Sequence, residues 1–147
     1  MKNKPYPLYQ QSPAYTTVRE LLCDSARRFG DAPSISYRDR ASDAEKHTLP
    51  YRELEKQVRA AGTEMLARGW HGKHCAVIGK LSYSWVICYF ALLSIGAVMV
   101  PLDPEWSAED LADTARQAGV YALVCDSEIA AKAPTVCKAA GIDGAIY

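Results

Sequence analysis

Charge of one sign is what this 147-residue sequence most conspicuously lacks: seventeen Lys and Arg stand against seventeen Asp and Glu, a formal net charge of zero. Without a basic stripe there is no electrostatic footprint for nucleic acid or an anionic membrane, so neither is expected as a partner. An apolar leader is missing too, because Met1 to Pro13 holds no run of the kind a secretory signal needs. The five cysteines, Cys23, Cys75, Cys88, Cys125 and Cys137, have no short paired spacing, and most sit inside apolar stretches such as CAVIG and ALVCD. An odd, dispersed set reads as reduced, buried thiols in a cytoplasmic protein and argues against a disulfide framework.

Signatures of chemistry are equally scarce. No G-x-G-x-x-G follows a strand, no G-x-x-x-x-G-K-[ST] occurs, and no Ser/Thr/Gly-rich loop precedes a lysine that could cradle phosphates. G-x-S-x-G and H-E-x-x-H are absent as well. His71 and His74 in WHGKH have metal-like spacing, but Gly72 stands between them and no carboxylate or thiolate completes a set. A solvated turn before a strand is expected there. Glu105, Glu109 and Asp110 crowd the start of a helix, where the dipole favours acidic side chains without any catalytic role. The sequence therefore assigns no catalytic, cofactor-binding or metal-ligating residue to this chain.

What is present is a core. Hydrophobic residues make up 49% of the chain, and a domain of this length buries roughly 70% of the surface its unfolded form exposes. Residues 1–14 form a Pro- and Tyr-rich arm without a period, and residues 15–147 read as one domain. Thr17 and Glu20 have capping-box spacing, and Val18, Leu21, Leu22, Ser25, Ala26 and Phe29 lie on one helical stripe that Gly30 ends. Ser34 to Arg38 alternates as a half-buried strand, and a charged loop returns to a second strand at His47 to Leu49. A helix is expected from Pro50 to Arg68, with Tyr51, Leu54, Val58, Ala61, Gly62 and Met65 facing inward, Gly69 as its stop and Thr48 as its cap.

The longest uncharged run, Leu81 to Leu102, covers twenty-two residues, enough by length for a membrane span. Gly96 and Pro101 interrupt it and no basic cluster flanks it, so it reads as a buried helix, a turn and a buried strand. Cys75 to Gly79 and Val120 to Cys125 are further short apolar strands, and Ser107 begins a helix ending near Gly119. Ser127 to Ala140 reads as a helix broken or kinked at Pro134, and Ala145 to Tyr147 as a last strand. The order from Cys75 alternates strand and helix. It predicts an α/β fold with a largely parallel sheet, right-handed βαβ crossovers and helices on both faces.

Two stretches carry a family likeness. Leu93-Ser94-Ile95-Gly96-Ala97-Val98-Met99-Val100-Pro101-Leu102-Asp103 resembles the G-A-x-x-V-P-L/I-D/N core motif of the AMP-forming acyl-CoA synthetase and adenylation-domain superfamily. Leu49-Pro50-Tyr51-Arg52-Glu53-Leu54 resembles its L-T/S-Y-x-E-L motif, with Pro50 where the family has Thr or Ser. The resemblance implies the N-terminal part of the large domain of such an enzyme, with long-chain fatty acid–CoA ligases as the nearest type. It implies a reaction in which a carboxylic acid and ATP give an acyl-adenylate and the acyl group passes to a thiol such as coenzyme A. ATP, Mg²⁺ and coenzyme A are thus implied for a longer enzyme, whose remaining polypeptide becomes this chain's partner; the family's catalytic groups lie beyond the region matched, and the fragment alone is expected to be inactive. An apolar docking face, open to self-association, is expected on the fragment. Two alternatives stay open: an amino-acid or aryl-acid activating adenylation domain, and a non-catalytic flavodoxin-like domain binding a ligand near Gly79, Asp103 and Asp126.

Overall fold

The computed structural model describes residues 13–40 and 42–146, with side chains as far as Asp143. The expected N-terminal arm lies outside the described residues apart from Pro13 and Ala14. Helix α1 (Val18–Phe29) begins with a complete capping box: the Thr17 hydroxyl accepts from the Glu20 N–H at 3.1 Å, and the Glu20 carboxylate accepts from the Thr17 N–H at 3.3 Å. It ends at Gly30, whose φ of 48° suits a residue without a side chain. Of its expected stripe only Leu22 is buried; Leu21 and Phe29 are exposed, because α1 lies on the outside of the helical layer.

Strands β1 (Pro33–Tyr37) and β2 (His47–Pro50) pair antiparallel as a separate hairpin. Helix α2 (Tyr51–Ala67) follows directly from Pro50, which supplies no side-chain cap. Thr48 does not replace it, contrary to expectation: it stands in β2 and its hydroxyl lies 3.3 Å from that of Ser36 across the hairpin. Strand β3 (His74–Ile78) opens the main sheet and is followed by α3 (Tyr83–Ser94), β4 (Val98–Leu102), α4 (Ala108–Gln117), β5 (Val120–Cys125), α5 (Ala133–Ala140) and β6 (Gly144–Ile146). Pro134 does not kink a long helix. It occupies the first turn of α5, where its missing N–H would have had no partner, and residues 127–132 form a turn instead.

The four main strands are all parallel, in the order β4-β3-β5-β6. Alternate residues divide the core between the two faces. Cys75, Val77, Ala122 and Val124 join the cluster under α1, α2 and α3, whereas Ala76, Ile78, Leu123 and Cys125 join the cluster under α4 and α5. The step from β3 to β4 runs one way across the sheet, with α3 on the first face. The steps from β4 to β5 and from β5 to β6 run the other way, with α4 and α5 on the second face. Reversing both direction and face keeps one crossover hand throughout, as the right-handed rule demands.

Pro101 sits inside β4 without cost. The Val98 N–H donates to the Lys73 carbonyl at 2.9 Å, so by alternation Val98, Val100 and Leu102 bond to β3 while Met99 and Pro101 turn their backbone outward. A proline is tolerated there because no ladder bond needs its N–H.

Candidate functional site

In an open parallel sheet the carboxyl ends of the strands, where the order reverses, are the natural place for a ligand. Here that place lies between β3 and β5, at Gly79 and Asp126. Asp126 is the hub of this edge. Its Oδ1 accepts from the backbone N–H groups of Glu128 and Ile129, each at 3.1 Å, and its Oδ2 accepts from the Lys80 N–H at 3.2 Å. One carboxylate thus turns the chain out of β5 and ties it to the loop leaving β3. Gly79 is required by this closeness: a Cβ placed on it would lie 2.8 Å from Asp126 Oδ2.

The neighbouring loops are closed in the same manner. Lys80 forms an exposed ion pair with Glu128 at 2.6 Å, and that carboxylate raises the lysine pKa, with Asp126 and Glu105 adding to the effect. Ser82 caps α3 by accepting from the Trp85 N–H at 3.2 Å. Asp103 Oδ1 accepts from the Glu105 N–H at 2.9 Å, and the Lys132 ammonium donates to the Trp106 carbonyl at 3.2 Å. The structure therefore brings Gly79 and Asp126 into contact, and it uses Asp126 and Asp103 to fix turns. Offered ATP and Mg²⁺, these residues do not fit: among the described residues no glycine-rich loop presents a row of N–H groups at this edge, and the carboxylate at the crevice already has three donors.

The other residues singled out in the sequence have structural roles. His71 lies in an exposed turn and His74, also exposed, opens β3, as expected, and each in addition holds a backbone carbonyl. The Nδ1–H of His71 donates to the Ile95 carbonyl at 2.7 Å, and that of His74 donates to the Ala118 carbonyl at 2.6 Å. Those carbonyls close the C-terminal ends of α3 and α4 and need donors, which is why histidines stand beside them. Among the described residues no group of three His, Cys, Asp or Glu could hold a metal ion. Asp110 takes part in capping α4, its N–H donating to the Ser107 hydroxyl at 3.1 Å. Burial pushes the thiols of Cys75 and Cys125 up to about 11, which leaves them protonated and unreactive at neutral pH. A groove of about 590 Å³ between α1, α2 and the turn after α3 contains the Glu55–Arg59 ion pair, and the thiol of Cys23 donates to Glu55 Oε1 there at 3.8 Å.

Sequence reasoning missed Lys132 as the clamp between the α5 and β4–α4 loops, and saw Asp126 as a ligand contact at the end of a strand, not as the residue that fixes its turn. The D-S-E run after β5, with an acceptor two residues before a required donor, was the available signal.

Residues 22–145 match the AMP-binding enzyme family. The chain belongs to that family. Both motif stretches, residues 49–54 and 93–103, lie inside the match. The AMP-binding relatives include phosphinothricin tripeptide synthetase PhsC of Streptomyces viridochromogenes, 31% identical over 80% of this chain and 10% of that protein. They also include the mitochondrial medium-chain acyl-CoA ligase ACSF2 of Mus musculus, 27% identical over 74% of this chain and 17% of that protein. A crystal structure of the long-chain-fatty-acid-CoA ligase FadD1 from Archaeoglobus fulgidus shares the fold, with a TM-score of 0.81 and 18% identity over 97% of this chain and 29% of that one. The chain thus spans less than a third of the length of each. Among the described residues no helix is long and apolar enough to cross a membrane.

Proposed function

We propose that this chain is the N-terminal portion of a longer ATP-dependent, AMP-forming ligase that activates a fatty acid and passes it to coenzyme A. The observation that carries the reading is the family match across residues 22–145, with both core motifs inside it, joined to the likeness to a medium-chain acyl-CoA ligase. The carboxyl edge of the sheet supports the division of labour: its polar groups are consumed in holding loops together, so the chain contributes a scaffold and leaves nucleotide binding to residues beyond it. ATP, Mg²⁺ and coenzyme A belong to that longer protein.

The 31% identity to a peptide synthetase favours a second reading, an amino-acid activating adenylation domain, with aryl acids as its variant. One experiment separates them. The gene product extending past Tyr147 is assayed for acid-dependent pyrophosphate release with fatty acids, aryl acids and amino acids in parallel. The first reading expects fatty acids to give the highest kcat/KM, and AMP formation with them to require coenzyme A. Release driven only by amino acids or aryl acids transfers the assignment to the second reading. For the 147-residue chain alone, calorimetry is expected to detect no ATP binding, and micromolar affinity would show that the crevice had been misread.

A further inference from the structure

A helix that is apolar on every side belongs in an interior. Helix α3, YSWVICYFALLS, contains no charged residue, yet only Ile87, Ala91 and Leu92 of its twelve are buried. These three lie on one arc, directed at the sheet and α2. Trp85, Val86, Tyr89, Phe90 and Leu93 share the opposite arc and are all half-buried. Trp85 and Phe90 reach back toward the core, but Val86, Tyr89 and Leu93 pack on no buried cluster among the described residues. Tyr89 stacks on Trp85 at 5.5 Å and meets Phe90 edge-on at 5.3 Å, so the aromatic rings form one surface. Leu66, 48% exposed, extends it beside Leu93 along the groove that both residues line.

We infer that the outward arc of α3, centred on Val86, Tyr89 and Leu93, is the face on which the remaining polypeptide of the longer ligase packs, through an apolar element of its own. The inference rests on the reading under Proposed function and gives it a location. Three facts choose this occupant. The chain spans 29% of the solved relative whose fold it shares over 97% of its own length, so most of such a polypeptide lies outside it. No lysine or arginine occurs between Leu81 and Leu102, whereas a helix that lies on a lipid surface carries basic residues on its polar side. The β4 edge offers little to an incoming strand, since Pro101 turns a donorless backbone outward there. What is left is burial of side chains, and α3 presents them.

The test uses Val86→Glu combined with Tyr89→Glu, in the 147-residue chain and in the longer gene product. The chain alone is expected to bind a hydrophobic dye and to self-associate as concentration rises. The double variant keeps its helical circular dichroism and loses both properties at least fivefold. In the longer protein the same variant is expected to lower the yield of folded protein at least tenfold, because the charges now face an interior. Equal tolerance in both contexts overturns the inference, as does a wild-type chain that neither binds dye nor associates. A longer protein that is a dimer in its wild-type form and becomes a stable monomer in the variant also overturns it, by making a second copy the occupant. Failure of the ligase reading is seen separately, in the pyrophosphate assay or in a stop codon directly after Tyr147.

Discussion

Gly79→Ala puts the closure of the carboxyl edge to a quantitative test. The glycine has no positive φ, so the backbone itself accepts alanine. The new Cβ, however, would meet Asp126 Oδ2 at 2.8 Å, Cγ at 3.2 Å and Cβ at 3.5 Å, which forces the carboxylate aside. Moving it breaks the bond from the Lys80 N–H and strains those from Glu128 and Ile129. A hydrogen bond to a charged group is worth about 1.5–3 kcal/mol and local overpacking costs about 1–3 kcal/mol. The lower unfolded-state entropy of alanine returns about 0.4–1 kcal/mol. The net expectation is a loss of roughly 2–4 kcal/mol, read as a fall of about 1 M or more in the urea midpoint at unchanged slope. Specificity comes from a double-mutant cycle. In an Asp126→Ala background the obstacle is gone, so adding Gly79→Ala should cost under about 0.5 kcal/mol. If the alanine costs the same with and without the Asp126 carboxylate, the contact does not govern this edge and the account of Gly79 is wrong.

Two further outcomes follow from the titratable groups. Hydrogen bonds from Arg27, then Tyr15 and Arg28, hold the Asp24 carboxyl at about 2, below its ordinary 3.8. Because the folded-state value is depressed, its contribution to stability is complete above the ordinary carboxyl range and fades as pH falls toward about 2. Carbon-detected NMR should place the Asp24 midpoint near 2, and Arg27→Ala should raise it; an unaltered midpoint in that variant would remove Arg27 as the main cause. At pH 8 an aromatic disulfide reagent should modify the exposed Cys23 quickly and leave Cys75 and Cys125, with pKa values of about 11, untouched until urea is added. Rapid release from the folded protein of as many equivalents as it has cysteines would contradict their burial.

The elements were readable where local chemistry and burial pattern agree. The Thr17–Glu20 box, the Ser107 cap, the glycine stops and the apolar runs at Cys75 and Val120 place their helices and strands correctly because each signal acts within a few residues. The division of Leu81–Leu102 into helix, turn and strand was also legible, since Gly96 takes a φ of 74° that a continuing helix would not allow. Long-range choices were hidden. Nothing near Thr48 announces that its hydroxyl will face Ser36, and nothing near His71 or His74 names the helix ends that each meets across 24 and 44 residues of sequence. The strand order was equally out of reach, because crossovers of either direction share one alternation of strand and helix. At the carboxyl edge the sequence yielded the right neighbours, Gly79 and Asp126, for a different reason: they were proposed as ligand contacts and are fixed as a turn.

Pro101 gives the main sheet a direction of growth. With a donorless residue turned outward on β4, a strand seeking to extend the sheet there would find one rung missing from its ladder. Additional strands are therefore steered to the β6 side, and two copies meeting edge to edge cannot zip along β4 into a continuous ribbon. A single ring closure in the backbone acts as a one-way stop for the whole layer.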